Sequence, residues 1–314
     1  MEMQILKANK YTINVLMATY NGEKYVSEQI DTILAQKGVT VNLYIRDDGS
    51  TDKTVKIIER YKSNYSNVFL YTGKNLGVAN NFFELLNQCS KSEFYAFADQ
   101  DDIWDDDKIL TAVSMLSKVD KKSPALYCCN SRHVDRYGNP FGTEGVMKTT
   151  RTLGSALIYS NAQGSTMVFN DSLANLLKEY TPNFSDLNIL HDAWVHKVCL
   201  SVGGTVIIDK NAHMSYRIHG ENVVAKAPTK RTLFAKLKHL FDVERPYYCS
   251  KVATTIYNAY SQEIPSTNKF LIEMIANYRN SRWLRMKLLF SNKIKTHVFK
   301  IDINFKYRVI IGKA

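Results

Sequence analysis

The chain has 314 residues, 45% hydrophobic and 11% aromatic, enough to bury a full core in one large domain or two unequal ones and too apolar for a disordered segment. No run of about 18 uncharged apolar residues occurs, and the opening MEMQILKANKYTIN lacks the apolar centre of a secretory signal, so the sequence points to a cytoplasmic protein without a membrane span. The net charge of +11 lies wholly in residues 231–314, with 16 Lys and Arg against 5 Asp and Glu, which leaves 25 against 25 in residues 1–230.

In chain order, Asn14 to Ala18 (NVLMA) reads as a strand buried on both faces. Val26, Ile30, Ile33 and Leu34 recur at helical spacing, which predicts a helix over Tyr25 to Gln36. Val41 to Arg46 is a second strand, stopped by Asp47-Asp48-Gly49-Ser50, after which Ser50 or Thr51 is expected to cap a helix carrying Val55, Ile58 and Tyr61. Val68 to Tyr71 is a third strand, Val78, Phe82, Leu85 and Leu86 mark a third helix, and Phe94 to Ala98 is a fourth strand that runs directly into Asp99. Strands alternating with helices predict βαβ units on a mainly parallel sheet. Every polar cluster follows a strand, the edge of an open α/β sheet at which ligands bind.

The densest cluster is Asp99, Asp101, Asp102, Asp105, Asp106 and Asp107, six aspartates in nine residues with Trp104 among them. Such crowding is self-repelling unless a cation or solvent screens it, and a D-x-D at a strand end suits a hard divalent metal. The alternative is a solvated acidic loop opening a helix at Lys108. An EF-hand is disfavoured, because Trp104 stands where the loop needs Gly and Leu110 where it needs Glu. Asp47 to Asp52 reads either as a tight turn with a helix cap or as a base pocket whose carboxylate accepts a pyrimidine imide. Asn75-Leu76-Gly77 is a weaker turn of the same kind. The five cysteines, Cys89, Cys128, Cys129, Cys199 and Cys249, are odd in number and lack C-x-x-C spacing, so reduced, buried thiols are expected.

Thr19-Tyr20-Asn21-Gly22, the stretch Arg46 to Asp52, Asn75-Leu76-Gly77 and Asp99-Gln100-Asp101-Asp102-Ile103-Trp104 together resemble, in order and spacing, the inverting glycosyltransferases of family 2. The resemblance continues through Gly164-Ser165-Thr166-Met167, His191-Asp192-Ala193-Trp194 and Tyr216-Arg217-Ile218-His219-Gly220-Glu221-Asn222, roughly residues 12 to 225, where it is closest to bacterial rhamnosyltransferases of cell-wall polysaccharide synthesis. It implies a GT-A, Rossmann-like fold: a mixed, mainly parallel central sheet flanked by helices, with a helical basic extension at residues 231–314. The catalytic domain would span residues 1–230, with a nucleotide-sugar half over about 12–110 and an acceptor half over about 111–230.

Carried over by residue, the resemblance implies that Asp48 contacts the donor base, that Tyr20 lines its pocket, and that Thr19, Asn21, Asn75, Gly77 and Gln100 complete the donor contacts. Asp99 would lie near ribose and metal, Asp101 would be the direct ligand of Mg²⁺ or Mn²⁺, and His219 a second ligand or a diphosphate contact. Asp192 matches the catalytic base, with Gly164, Ser165, Thr166, His191 and Trp194 on the acceptor side. Many relatives carry Trp directly after that Asp, whereas this chain has Ala193 there and Trp194 one place on. The implied substrates are dTDP-rhamnose, or a UDP-sugar, and a lipid-diphosphate-linked saccharide. A sugar-phosphate nucleotidyltransferase would show a Gly-rich loop after the first strand, where this chain has Ala18 to Gly22. An inactive membrane- or nucleic-acid-binding module is the remaining alternative.

From Asn280 to Lys313, basic residues alternate with Trp283, Leu284, Leu288, Leu289, Phe290, Val298 and Phe299. That mixture predicts a peripheral contact with an anionic membrane, at the inner face of the plasma membrane, in preference to nucleic acid. Helices packed on the catalytic domain with a solvated basic face are the competing reading, and the pattern leaves an oligomer open.

Overall fold

The computed structural model describes residues 11–141, 152–160, 162–219 and 245–314. The chain folds into two compact units, the first formed from residues up to 147, 163–178 and 207–218, the second from 148–162, 179–206 and 219–314.

The first unit is built on strands β1 (Thr12–Thr19), β2 (Thr40–Asp47), β3 (Val68–Thr72) and β4 (Phe94–Ala98). They pair in parallel in the order β3-β2-β1-β4. Helices α1 (Val26–Leu34), α2 (Thr54–Asn64) and α3 (Val78–Gln88) link them. The apolar run of β1 is buried throughout, and Val26, Ile30 and Ile33 form the face that α1 lays on the sheet, in one core with Val15, Met17, Leu43 and Ile45. Truncating a side chain such as Ile30 to Ala removes about 2–5 kcal/mol, because the surrounding atoms fill the hole only in part.

Strand β5 (Ile103–Trp104), helix α4 (Lys108–Leu116), β6 (Ala125–Val134), helix α5 (Leu153–Ile158), β7 (Met167–Asn170), helix α6 (Asp171–Glu179) and β8 (Thr205–Arg217) come next, α5 falling in the second unit. The four strands complete an eight-stranded sheet in the order β3-β2-β1-β4-β7-β6-β8-β5. The β4–β7, β6–β7 and β5–β8 pairs are antiparallel, so the parallel half ends at β4. Register aligns Thr19 with Asp47 and Asp47 with Thr72, and Met17 with Ala98. The loops after β1, β2, β3 and β4 therefore open at one edge.

One local expectation is corrected. Neither Ser50 nor Thr51 caps α2: the Ser50 hydroxyl donates to Asp47 and Thr51 bonds Asn21. Lys53 stands at the cap position without a side-chain bond, and Asp52 before it accepts the Thr54 amide at 2.9 Å as well as the Thr54 hydroxyl.

The second unit holds α5, α7 (Phe184–Leu187), α8 (His191–Ser201) and the C-terminal helices α9 (Tyr248–Tyr260), α10 (Ser266–Asn277), α11 (Arg282–Phe290) and α12 (Phe299–Ile310). The expected boundary near residue 230 lies outside the described residues. Helix α8 buries Trp194, Val195, Val198 and Cys199 together with His196, Lys197 and Ser201. A helix buried on all sides is a core element, and α8 takes its neighbours from this unit. Trp194 packs with Tyr260, the Lys197 ammonium donates to the Ala156 carbonyl, and Asn268 bonds the Leu200 and Ser201 carbonyls at the helix end. All five cysteines are buried and none forms a disulfide, as expected. Among the described residues no helix is long and apolar enough to cross a membrane.

Candidate functional site

The carboxyl edge of the first unit is wired by side chains that bond backbone. Asp47 is buried; its Oδ1 accepts the Gly49 and Ser50 amides at 3.1 and 2.7 Å, and its Oδ2 accepts the hydroxyls of Thr19 and Ser50 at 2.8 and 2.6 Å. Asp48, also buried, pairs with Arg46 at 2.6 Å and accepts the amides of Leu76 and Gly77 at 2.8 and 2.9 Å. Asp48 thereby ties the second polar loop to the third. Gly77 has φ 78° and opens α3, and the Asn75 carboxamide accepts its amide at 3.0 Å. An L-residue at position 77 would hold that left-handed backbone only under strain.

The first loop is tied on both sides. Asn21 has φ 49°, donates its amide to Ser50 at 2.8 Å and accepts that of Thr51 at 2.9 Å. The Gln100 side chain makes a two-way bridge to the Tyr20 backbone, accepting its N–H at 2.8 Å and donating to its carbonyl at 3.0 Å. That bridge runs over Gly22, where a Cβ would collide with the Gln100 carboxamide. Gln100 thus joins the acidic loop to the β1 loop through backbone, while the Tyr20 ring stands half exposed.

Asp99, Asp101 and Asp102 follow β4. Asp102 is buried, and its acidity is weakened well above the usual carboxylate range by burial and by the adjacent charges of Asp99 and Asp101. Its Oδ1 meets the Arg217 amide at 3.4 Å, and its Oδ2 has no hydrogen-bond partner among the described residues. The turn Gly164–Thr166, a single 3-10 turn entering β7, is buried beside β4, with the Ser165 hydroxyl near Asp102. Tyr216 lies in the same field: burial and the charges of Asp99, Asp102 and Asp101 all push its phenol up.

Arg217 holds this loop from behind. Its buried guanidinium donates from Nε to the Asp101 carbonyl at 2.9 Å, from Nη1 to the Arg136 carbonyl at 3.2 Å and from Nη2 to Glu28 of α1, and it stacks over the Tyr25 ring. The rest of the acidic run is different. Asp105 pairs with Arg132, Asp106 with Lys37, and Asp107 with His213, whose other ring nitrogen meets Asp209 at 3.3 Å. Ligand atoms of Asp105, Asp107 and His213 lie within 4.8 Å of one another. Arg132 supplies a positive charge at Asp105.

In the second unit Asp192 stands in the first turn of α8, with Oδ1 on the Ala193 amide at 2.6 Å and Lys197 and Tyr248 within electrostatic range. A carboxylate in a first helical turn is stabilised by the helix dipole. His191 is buried, and burial pushes its imidazole down to about 3, so it stays neutral. Trp194 is fully buried, with ring centroids 6.1 Å from Tyr180 and 6.3 Å from Tyr260. His219 lies just past the end of β8, while Gly220, Glu221 and Asn222 fall outside the described residues.

The sequence model of Glycosyl transferase family 2 matches residues 14–179, more than half of the chain and all the loops from Thr19 to Thr166. The chain belongs to this family. Among its family relatives, the dTDP-rhamnosyl transferase RfbG of Shigella flexneri is 29% identical over 257 residues, covering 79% of this chain and 85% of RfbG. The fold is shared with S. aureus TarS 1-349 in complex with UDP-GlcNAc (TM-score 0.58, 18% identity, 89% of this chain and 73% of that one). It is also shared with the mannosyltransferase PcManGT from Pyrobaculum calidifontis in complex with GDP-Man and Mn²⁺ (TM-score 0.53, 15% identity, 96% and 77%). The fold is GT-A, and the protein is a glycosyltransferase.

Within the family frame, Asp192 and His219 lie beyond the matched residues 14–179. Two residues at the site edge carry no role in the sequence reading, Arg46 and Arg217. Each sits at the end of a strand inside a motif stretch, and a buried arginine in that position is the signal: it must find acceptors, and here they are the loop carbonyls of Lys74 and Asp101.

Proposed function

We propose that this glycosyltransferase transfers rhamnose from dTDP-rhamnose, with inversion, to a lipid-diphosphate-linked saccharide of a growing cell-surface polysaccharide. The observation that carries the reading is the loop Asp99-Gln100-Asp101-Asp102 at the end of β4, in which buried Asp102 lies in the field of the adjacent Asp99 and Asp101. An all-oxygen anionic donor set of this kind fits a hard dication. Asp101 and Asp99 would hold it, with His219 as a further ligand or diphosphate contact. A bound Mg²⁺ or Mn²⁺ supplies neutralisation of the charge that grows on the leaving diphosphate.

The rest is the work of this chain's own groups. Asp48, fixed by Arg46 and the Leu76 and Gly77 amides, presents its remaining lone pairs to the imide of the donor base, with Tyr20 lining the pocket. Thr19, Asn21, Asn75, Gly77 and Gln100 keep the donor loops in shape. Asp192 removes the acceptor hydroxyl proton as that oxygen attacks the anomeric carbon, a single displacement that inverts the centre. Gly164, Ser165 and Thr166 border the acceptor. The rhamnosyl donor is supported by the similarity to RfbG, and a UDP-sugar is the second reading, supported by the fold shared with TarS. The excess of basic residues in the C-terminal region supports a peripheral position at the inner face of the plasma membrane.

The test is release of nucleoside diphosphate from a panel of nucleotide sugars, with Mg²⁺, Mn²⁺ or chelator. Fastest metal-dependent release from dTDP-rhamnose, lost in Asp101→Ala and Asp192→Ala, is expected. Preference for a UDP-sugar would move the donor assignment, and turnover unaffected by chelator would remove the metal.

A further inference from the structure

Between Glu273 and Asp302 the sequence holds seven Lys and Arg and no carboxylate. Helix α11 lies inside that stretch, started by the Ser281 hydroxyl, which accepts the Leu284 amide. Its inward side is Leu284 and Leu288, spaced i and i+4, with Leu288 buried. The opposite side carries Trp283, Met286 and Phe290 at i, i+3 and i+7, and these are 57%, 53% and 76% exposed. Phe270 of α10, 46% exposed, meets Trp283 edge to face at 6.4 Å. The Lys287 ammonium lies 3.9 Å from the Trp283 ring centre and 5.1 Å from that of Phe270. Aromatic rings, a thioether and an ammonium thus make one patch on the second unit.

Scattered exposed apolar residues need no explanation, but a contiguous set on one helix face marks a surface that meets something apolar. The charge decides what. An anionic bilayer offers negative headgroups above an apolar layer, which matches rings that point outward among cations. Tryptophan is at home at that interface, since its ring is apolar and its N–H is not. With nine residues and Arg282, Arg285 and Lys287 in its length, α11 is too short and too charged to cross a bilayer.

We propose that the outward face of α11, Trp283, Met286 and Phe290, together with Phe270 of α10, inserts into the headgroup region of an anionic lipid bilayer. The inference rests on the peripheral membrane association proposed above and assigns it a face. Of the three tryptophans, Trp104 and Trp194 are buried, so Trp283 reports on the contact by its own fluorescence.

The full-length protein is mixed with vesicles of phosphatidylcholine, with or without phosphatidylglycerol, and followed by flotation and by quenching with lipids brominated on their acyl chains. With phosphatidylglycerol, co-flotation, a blue shift and quenching are expected. Trp283→Phe should abolish the optical signal and keep flotation. Trp283→Ser combined with Phe290→Ser should weaken flotation about tenfold or more, as loss of two inserted rings requires, with thermal unfolding unchanged. Flotation without quenching, or the double variant floating like the wild type, would overturn the face and leave membrane association standing. No flotation of the wild type would end both. Self-association that the double variant abolishes would make this face an interface between two copies and overturn the inference.

Discussion

The acidic run has two halves, and they are built in opposite ways. Asp105, Asp106 and Asp107 each meet a basic side chain, Arg132, Lys37 and His213. Asp102, three residues earlier, is buried beside Asp99 and Asp101, with the Arg217 backbone amide at 3.4 Å and the Ser165 hydroxyl close by. Ion pairs hold the second half, while buried Asp102 lies in the field of Asp99 and Asp101. On the function proposed above, the difference separates carboxylates that serve the fold from carboxylates that would hold a ligand.

Breaking the repelling half should have the largest effect. Asp101→Asn is expected to lower turnover about 10²- to 10³-fold, the range for losing one electrostatic element of a transition state. The same change relieves repulsion on Asp102, so the metal-free variant should melt at or above the wild-type temperature. Added Mn²⁺ should raise the melting temperature of the wild type and not of Asp101→Asn, because only a species that binds the native state is stabilised by mass action. Calorimetry with and without metal reads both effects.

Arg217 tests whether the loop's backbone matters as much as its charges. Arg217→Lys keeps the charge and loses the planar fork that reaches the Asp101 carbonyl, the Arg136 carbonyl and Glu28 at once. The Mn²⁺ concentration for half-maximal rate should rise about tenfold, the size of effect found for residues that orient metal ligands, while the acceptor KM holds. Equal changes in both constants would mean that Arg217 serves only stability.

The parallel half of the sheet was legible in the sequence because each strand is a continuous apolar run and each helix repeats at 3.6 residues: Phe94 to Ala98 falls where expected, α1 lies inside its predicted bounds, and α2 and α3 carry the apolar residues predicted for them. Family motifs made Asp48 and Asp101 visible. What periodicity does not carry is pairing over distance. The Gln100 bridge to Tyr20 spans 80 residues and the Arg217 bond to Asp101 spans 116. The membership of α8 in the second unit depended on long-range packing too, since a helix buried on all sides shows no amphipathic stripe to read.

Lys108 sits where the two halves meet, the first residue of α4. It is buried with its ammonium 3.6 Å from the Trp104 ring centre, and burial pushes it down to about 8 despite the nearby Asp102 and Asp105. An unfolded lysine titrates near 10.5, so between about pH 8 and 10.5 the unfolded chain binds more protons and stability rises with pH. Lys108→Met should stabilise the protein at pH 7 by on the order of 3 kcal/mol less the lost ring contact. It should also flatten the rise between pH 8 and 10. Lys197, held at about 8 by burial in the second unit, will leave part of that slope in place. Urea midpoints across the pH series give the answer.

Breaking the balanced half should do little. The Arg132–Asp105 pair is about one-third exposed at both ends, and Arg132→Ala should cost about 1 kcal/mol at most, with turnover kept. Lys37→Ala should leave the melting temperature unchanged. Both ends of its pair with Asp106 are exposed, where ordering a long side chain offsets the attraction and physiological salt screens beyond about 8 Å. If Lys37→Ala instead lowered turnover, the second half of the run would be acting on the first through the loop between them, and the division into structural and functional carboxylates would have to be redrawn.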